Sequence, residues 1–155
     1  MVGCESMSDV DVYLRLWETV RRNGIKTIRL IDKTGGWNVR VNEQEYTVQE
    51  TFHHAVQAIF EDAGNWFLND STKFTPSSSP KDDLDQSIDR MVDAIREFSD
   101  EQLSADFTFQ WGEQTTVEGA IQQNLFHAVG HFSQIRNWIG ISERLQKRGT
   151  AKTHL

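Results

Sequence analysis

Apolar residues recur at three- and four-residue steps through four stretches of the chain, separated by polar segments rich in Gly, Ser, Asp and Pro. In residues 8–32 the stripe is Val10, Tyr13, Trp17, Val20, Gly24, Ile28 and Ile31, with Ser8 and Asp9 as cap candidates and Gly35 and Gly36 as the break. A second helix is predicted from about Thr47 to Leu68, striped by Val48, Phe52, Ala55, Ile59 and Ala63 and opened by a Thr47–Glu50 capping box. The Ser-rich run NDSTKFTPSSSPKD, which holds both prolines, reads as a loop. A third helix is predicted over about 82–98, with Leu84, Ile88, Met91, Val92, Ile95 and Phe98 as its stripe.

The segment SDEQLSADFTFQWGEQ is irregular, and its FTFQW core reads either as a short strand or as an extended arm over the bundle. The fourth helix is predicted from Thr115 or Thr116 to about Leu145, with Thr115 and Glu118 as a capping box. Four helices without convincing strand pairing predict an all-α four-helix bundle. One domain is expected over residues 1–155, with 1–7 and 147–155 as loose termini.

Plotted at about 100° per residue, the fourth helix carries two adjacent arcs. Ile121, Leu125, Ala128, Phe132, Ile135 and Ile139 form the apolar one; Asn124, His127, His131, Gln134 and Trp138 form the other. A solvated face lies opposite the core, whereas this polar arc shares an edge with it. Polar groups so placed line a crevice between helices or are buried and hydrogen-bonded. Phe126 and Val129 fall outside both arcs, which makes this helix a candidate contact with another subunit.

Composition narrows the function classes. The formal net charge is −7, with no basic cluster beyond RLQKRG, which argues against a nucleic-acid surface. No run of about 18 apolar residues is present and the N-terminus lacks a signal-peptide pattern, so no membrane association is expected. The single cysteine, Cys4, excludes an internal disulfide and fits a cytoplasmic protein; near a loose terminus it makes a poor nucleophile. Trp17, Trp66, Trp111 and Trp138 read as core, and Trp37, following two glycines, as exposed.

The candidate chemistry lies in the histidines. His127 and His131 at i and i+4 stack one turn apart, so both imidazoles reach one ion, the spacing of half a zinc or nickel site. The second helix offers adjacent His53 and His54, pointing about 100° apart, and periodicity does not choose between them. His154 belongs to the charged tail. Gln134, one turn beyond His131, can hydrogen-bond a ligand or a neighbouring helix.

Three stretches resemble the DinB-like, or YfiT-like, superfamily of metal-dependent four-helix-bundle proteins. YTVQETFHH is similar to its second-helix segment, in which a His follows an opening polar residue by seven positions; counted from Thr47, with Glu50 at the acidic position, that is His54. HAVGHFSQI resembles its His-x-x-x-His with Gln three residues later, matching His127, His131 and Gln134. TTVEGAIQQNLFHAVGH resembles its entry into that helix. The likeness runs from about Thr47 to Ile141, plus the first helix, and departs at Ala128, where many members carry an acidic residue.

The resemblance implies an up-down-down-up bundle, which needs a crossover between the second and third helices. The linker of about 14 residues reaches roughly 45 Å when extended, enough to pass a 20-residue helix. It further implies a divalent ion, zinc or nickel, on His54, His127 and His131, with Gln134 and Glu50 as supporting candidates. It also implies a thiol-dependent S-transferase of the bacillithiol or mycothiol type, or a hydrolase, acting on a small molecule; the outer side of the fourth helix, with Phe126 and Val129, separately makes a homodimer the expected assembly. The alternative is a non-catalytic metal-binding or dimeric stress-response interaction protein. A DNA-repair role is disfavoured by the acidic charge.

Overall fold

The computed structural model describes residues 7–40 and 46–152, with side chains through 149. Cys4 and His154 lie outside the described residues. Helix α1 (Asp9–Thr34) begins where the Ser8 hydroxyl accepts the Asp11 N–H and ends at Gly35, whose φ of 64° suits glycine. A 3-10 turn (Gly36–Asn38) follows. Helix α2 (Val48–Asp62) opens with the expected capping box between Thr47 and Glu50. It continues as a π-helical turn (Ala63–Leu68) that closes at Asn69.

Helix α3 (Pro80–Arg96) starts two residues before the expected Asp82. Ser79 accepts the Asp82 N–H and Pro80 supplies a preset φ at the first position. The single turn α4 (Asp100–Leu103) precedes a hairpin of β1 (Asp106–Thr108) and β2 (Gln114–Thr116), in which Phe107 faces Thr115. So FTFQW does contribute a strand, and Thr115 and Thr116 belong to β2.

Helix α5 (Val117–Lys152) therefore begins one or two residues later than expected, and no Thr115–Glu118 box opens it among the described residues. Instead the Thr116 hydroxyl accepts the Gly119 N–H and the Glu118 carboxylate accepts the Tyr13 O–H at 2.5 Å. The helix also runs past Leu145, so 147–152 is helical where a loose terminus was expected.

Cross-helix contacts fix the topology. Tyr13 meets Glu118 and Arg136 meets Asn23 and Thr27, so α1 and α5 run parallel. Arg21 meets Asp85 and Asp89 while Asp9 meets Asp100, so α1 and α3 run antiparallel. His54 packs on His127 and His131, and Asn124 reaches Ala58 and Asp62, so α2 and α5 run antiparallel. The bundle is up-down-down-up, all-α apart from the hairpin, with α2 and α3 parallel and joined by the crossover of residues 69–79.

The core holds Trp17, Phe52, Ile59, Leu84, Ile88, Met91, Ile121, Phe132 and Ile135, all fully buried. The Phe52 and Phe132 rings lie 6.0 Å apart and join α2 to α5 in the core. Three tryptophans depart from expectation: Trp66, read as core, is half-buried and lines a cavity instead. Trp111 on the hairpin is 54% exposed, because its ring stacks on Phe109 at 4.3 Å outside the bundle. Trp37 is half-buried, its ring set edge-on to Phe52 at 5.5 Å. Phe126 is exposed as expected, whereas Val129 packs against the core. No helix among the described residues is long and apolar enough to cross a membrane.

Candidate metal centre

His54 projects from the middle of α2, and His127 and His131 from successive turns of α5. Because these helices run antiparallel, the three side chains meet in the groove between them. One ring nitrogen from each lies within 4.8 Å of the others. The His54 ring centroid is 5.1 Å from that of His127 and 5.0 Å from that of His131. The Nε2 atoms of His127 and His131 are 3.1 Å apart. His53 points elsewhere, its ring 6.4 Å from Phe52, so of the adjacent pair it is His54 that joins the cluster.

The electrostatics suit imidazoles serving as neutral donors. Burial, then the neighbouring His131 and His54, lower His127 to about 4 from the ordinary 6.5. His54, the most exposed of the three, is lowered by the same two causes, burial first and then His131. Both rings are uncharged at neutral pH, the form in which imidazole binds a cation.

Gln134 sits beside His131, its Oε1 3.1 Å from Nδ1. With the proton on Nδ1 donated to that oxygen, His131 directs the Nε2 lone pair into the cluster. That arrangement fixes tautomer and ring orientation. Glu50 is spoken for by its own helix terminus: its carboxylate accepts the Thr47 N–H at 2.7 Å and the Thr47 hydroxyl at 2.9 Å. Ala128 is fully buried beneath the groove, a position where a carboxylate would have no water.

The histidines divide the groove into two cavities. One, of about 500 Å³, is lined by Tyr46, Glu50, Thr51, Gln134 and Trp138 together with His54 and His131. The other, of about 280 Å³, lies toward the hairpin and is lined by Ala58, Asp62, Trp66, Trp111 and Asn124 with His54 and His127. A larger open depression over α2 and α3, around Arg90 and Asp85, lacks these histidines.

Asp62 is a site residue that motif reasoning missed. It follows His54 and Ala58 at successive four-residue steps on α2, which is the sequence signal that would have found it. Its Oδ2 accepts the buried Asn124 Nδ2 at 2.6 Å, and burial raises its pKa to about 6 against this hydrogen bond. Asn124 also donates to the Ala58 carbonyl at 3.3 Å, and its Oδ1 has no partner. Trp66 reaches the same cavity because the π turn between Asp62 and Leu68 advances each residue by less than the α-helical angle of about 100°.

Three comparisons bear on this geometry. No family model matches the sequence, and no curated protein matches it. The fold is similar to the crystal structure of a DinB-like protein from Bacillus cereus ATCC 10987, with a TM-score of 0.63 over 84% of this chain and 91% of that one. The two chains share 16% sequence identity. The architecture is thus a DinB-like helical bundle, and its α2–α5 groove carries a three-histidine cluster of metal-ligating geometry.

Proposed function

We propose that this chain is a metal-dependent enzyme in which His54, His127 and His131 hold one divalent ion. The single observation that carries this reading is the convergence of three imidazoles from two antiparallel helices at the junction of two cavities. Three protein ligands leave coordination positions open, the pattern of catalytic sites. A divalent ion there supplies Lewis-acid chemistry, lowering the pKa of a coordinated thiol or water so that the nucleophile forms at neutral pH. Imidazole suits zinc and nickel alike, and both are candidates.

The chain's own residues do the rest. Gln134 holds the His131 ring in register, while Phe52 and Phe132 join the two helices in the core. Two separate cavities border the cluster, one at His127 and one at His131, which fits transfer of a group between a small thiol and an electrophile better than hydrolysis of one substrate. Thiol S-transfer with a low-molecular-weight thiol, in a reducing cytoplasmic setting, is therefore the leading reaction class, and metal-assisted hydrolysis the second.

Metal analysis of protein purified without an affinity tag tests the centre. We expect close to one zinc or nickel per chain after loading, loss of tight binding in His54→Ala and His131→Ala, and retention in His53→Ala. Less than about 0.2 ion per loaded chain would remove the proposal, since three-ligand sites bind tightly. A panel of small thiols with a chromogenic electrophile then separates S-transfer from hydrolysis.

A non-catalytic, self-associating protein is the second reading, favoured by Phe126, 70% exposed on the outer side of α5. Light scattering of wild type and Phe126→Ser examines it. A dimer that becomes monomeric in the variant supports a homodimer along α5, which is compatible with either chemistry.

A further inference from the structure

The Asp62 cavity holds a carboxylate without a countercharge. Among the described residues no ion pair joins Asp62 to a lysine or arginine, and no cation contributes to its electrostatic surroundings. Its neighbour Glu61 faces away, bound to Lys73 at 3.1 Å and to the Phe74 N–H at 3.2 Å. Half-buried carboxylates are costly unless a cation or several donors meet them, and Asp62 receives one amide N–H.

The rest of the lining is partly aromatic. Trp66 and Trp111 line the cavity, 6.4 Å apart between ring centroids. Each indole N–H is already engaged, Trp66 with the Gln110 Oε1 at 3.1 Å and Trp111 with the Glu113 Oε2 at 2.9 Å. The indoles therefore bring aromatic rings to the cavity lining and no free donor. A carboxylate and two indoles lining one cavity, with an unpartnered amide oxygen in the buried Asn124 that also lines it, are complementary to an alkylammonium group.

Distance ties this cavity to the histidines. Asn124 precedes His127 by three residues, about 4.5 Å along α5, and it holds Asp62 directly. Asp62 lines the same cavity as His54 and His127, so one ligand in it borders both the carboxylate and the histidine cluster. We propose that the Asp62–Asn124–Trp66–Trp111 cavity is a subsite for a primary ammonium group, so that the nucleophile of this protein is an aminothiol: a small thiol bearing a free cationic amine. The inference rests on the metal–thiol reading above and specifies its substrate class. N-acylated thiols and thiols without nitrogen lack the recognised group.

Binding to the zinc-loaded protein tests it without reference to turnover. Matched pairs of ω-aminothiols and ω-mercaptoalcohols of two, four and six carbons are titrated into wild type and Asp62→Asn, followed by calorimetry and by tryptophan fluorescence. The pairs differ only in the terminal group, and the asparagine keeps an acceptor for Asn124. At the best-fitting chain length, the wild type is expected to prefer the amine by at least about tenfold, the scale of one charge-assisted hydrogen bond. In Asp62→Asn that preference falls to about twofold or less, with zinc content and the affinity for the alcohols unchanged.

Equal affinity of wild type for both members of every pair overturns the ammonium subsite and leaves the metal–thiol reading standing. A preference that survives in Asp62→Asn overturns it as well, and so does loss of zinc from the variant, which would make Asp62 part of the ion's coordination. If neither member binds, the metal–thiol reading falls and the subsite with it.

Discussion

The Nε2 atoms of His127 and His131 face each other at 3.1 Å, one helical turn apart on α5, while the Nδ1 of His131 lies 3.1 Å from the Gln134 Oε1. The second contact governs the first, because a ring that donates from Nδ1 must offer a lone pair at Nε2. Gln134→Leu removes the acceptor without adding charge. Metal affinity, read by competition with a chromophoric chelator, is expected to fall about 10- to 100-fold, the usual effect of losing a ligand's orienting partner. Gln134→Glu keeps the acceptor and should retain binding; weakened binding there, with full binding in Gln134→Leu, would reverse this assignment.

Acid should destabilise the metal-free protein through the histidines. His127 takes up its proton at about 4 in the folded chain but at 6.5 when unfolded, so between those values the unfolded chain binds more protons. Stability therefore falls as pH drops from 6.5 toward 4. Urea titrations across this window should show that fall, and His127→Gln should show less of it. A slope unchanged by the substitution would contradict the assigned shift.

Asp62 acts with the opposite sign. Its folded value near 6 lies above the ordinary 3.8, so the folded chain holds the extra proton in between and the charged form above pH 6 costs stability. The shift corresponds to about 3 kcal/mol at face value, which partial solvent access reduces to about 1 kcal/mol. Asp62→Asn is expected to stabilise the metal-free protein by about 1 kcal/mol at pH 7.5 and by nothing at pH 4. Destabilisation at pH 7.5 would mean that the carboxylate is structural.

Gly64 tests the π turn. A Cβ there would collide with the Asp70 carbonyl oxygen and the Arg90 guanidinium. That guanidinium holds the segment by donating to the same carbonyl at 3.2 Å. Gly64→Ala should cost about 2 kcal/mol, typical of overpacking against backbone, despite alanine's better helix propensity. A chemical-denaturation midpoint equal to or above wild type would show that the turn yields freely.

Much of this was legible before the structure. The four apolar stripes gave the helices within a few residues, and the shared edge of the two arcs on α5 placed His127 and His131 in a groove, since amphipathic phase survives folding. His54 came from the resemblance, because periodicity cannot separate adjacent residues that flank one stripe; only the facing helix distinguishes them. Thr115 misled because a Thr followed three residues later by Glu is also compatible with a strand end, and pairing with Phe107 decided it. The hairpin's aromatic cluster and the π turn depend on contacts between segments far apart in sequence. Asp62 shares the face of His54 at two four-residue steps, a signal that has meaning only once His54, and not His53, is fixed as the reference.

The two helices that carry the histidines are α2 and α5, separated in sequence by α3, α4 and the hairpin. Neither helix contains all three ligands, so no local segment of the nascent chain can capture the ion by itself. The three histidines come together only when α5 docks against α2, across all the chain that lies between them. On the proposed metal reading, ion uptake would report that this docking is complete, and a chain truncated before His127 keeps only His54 of the three.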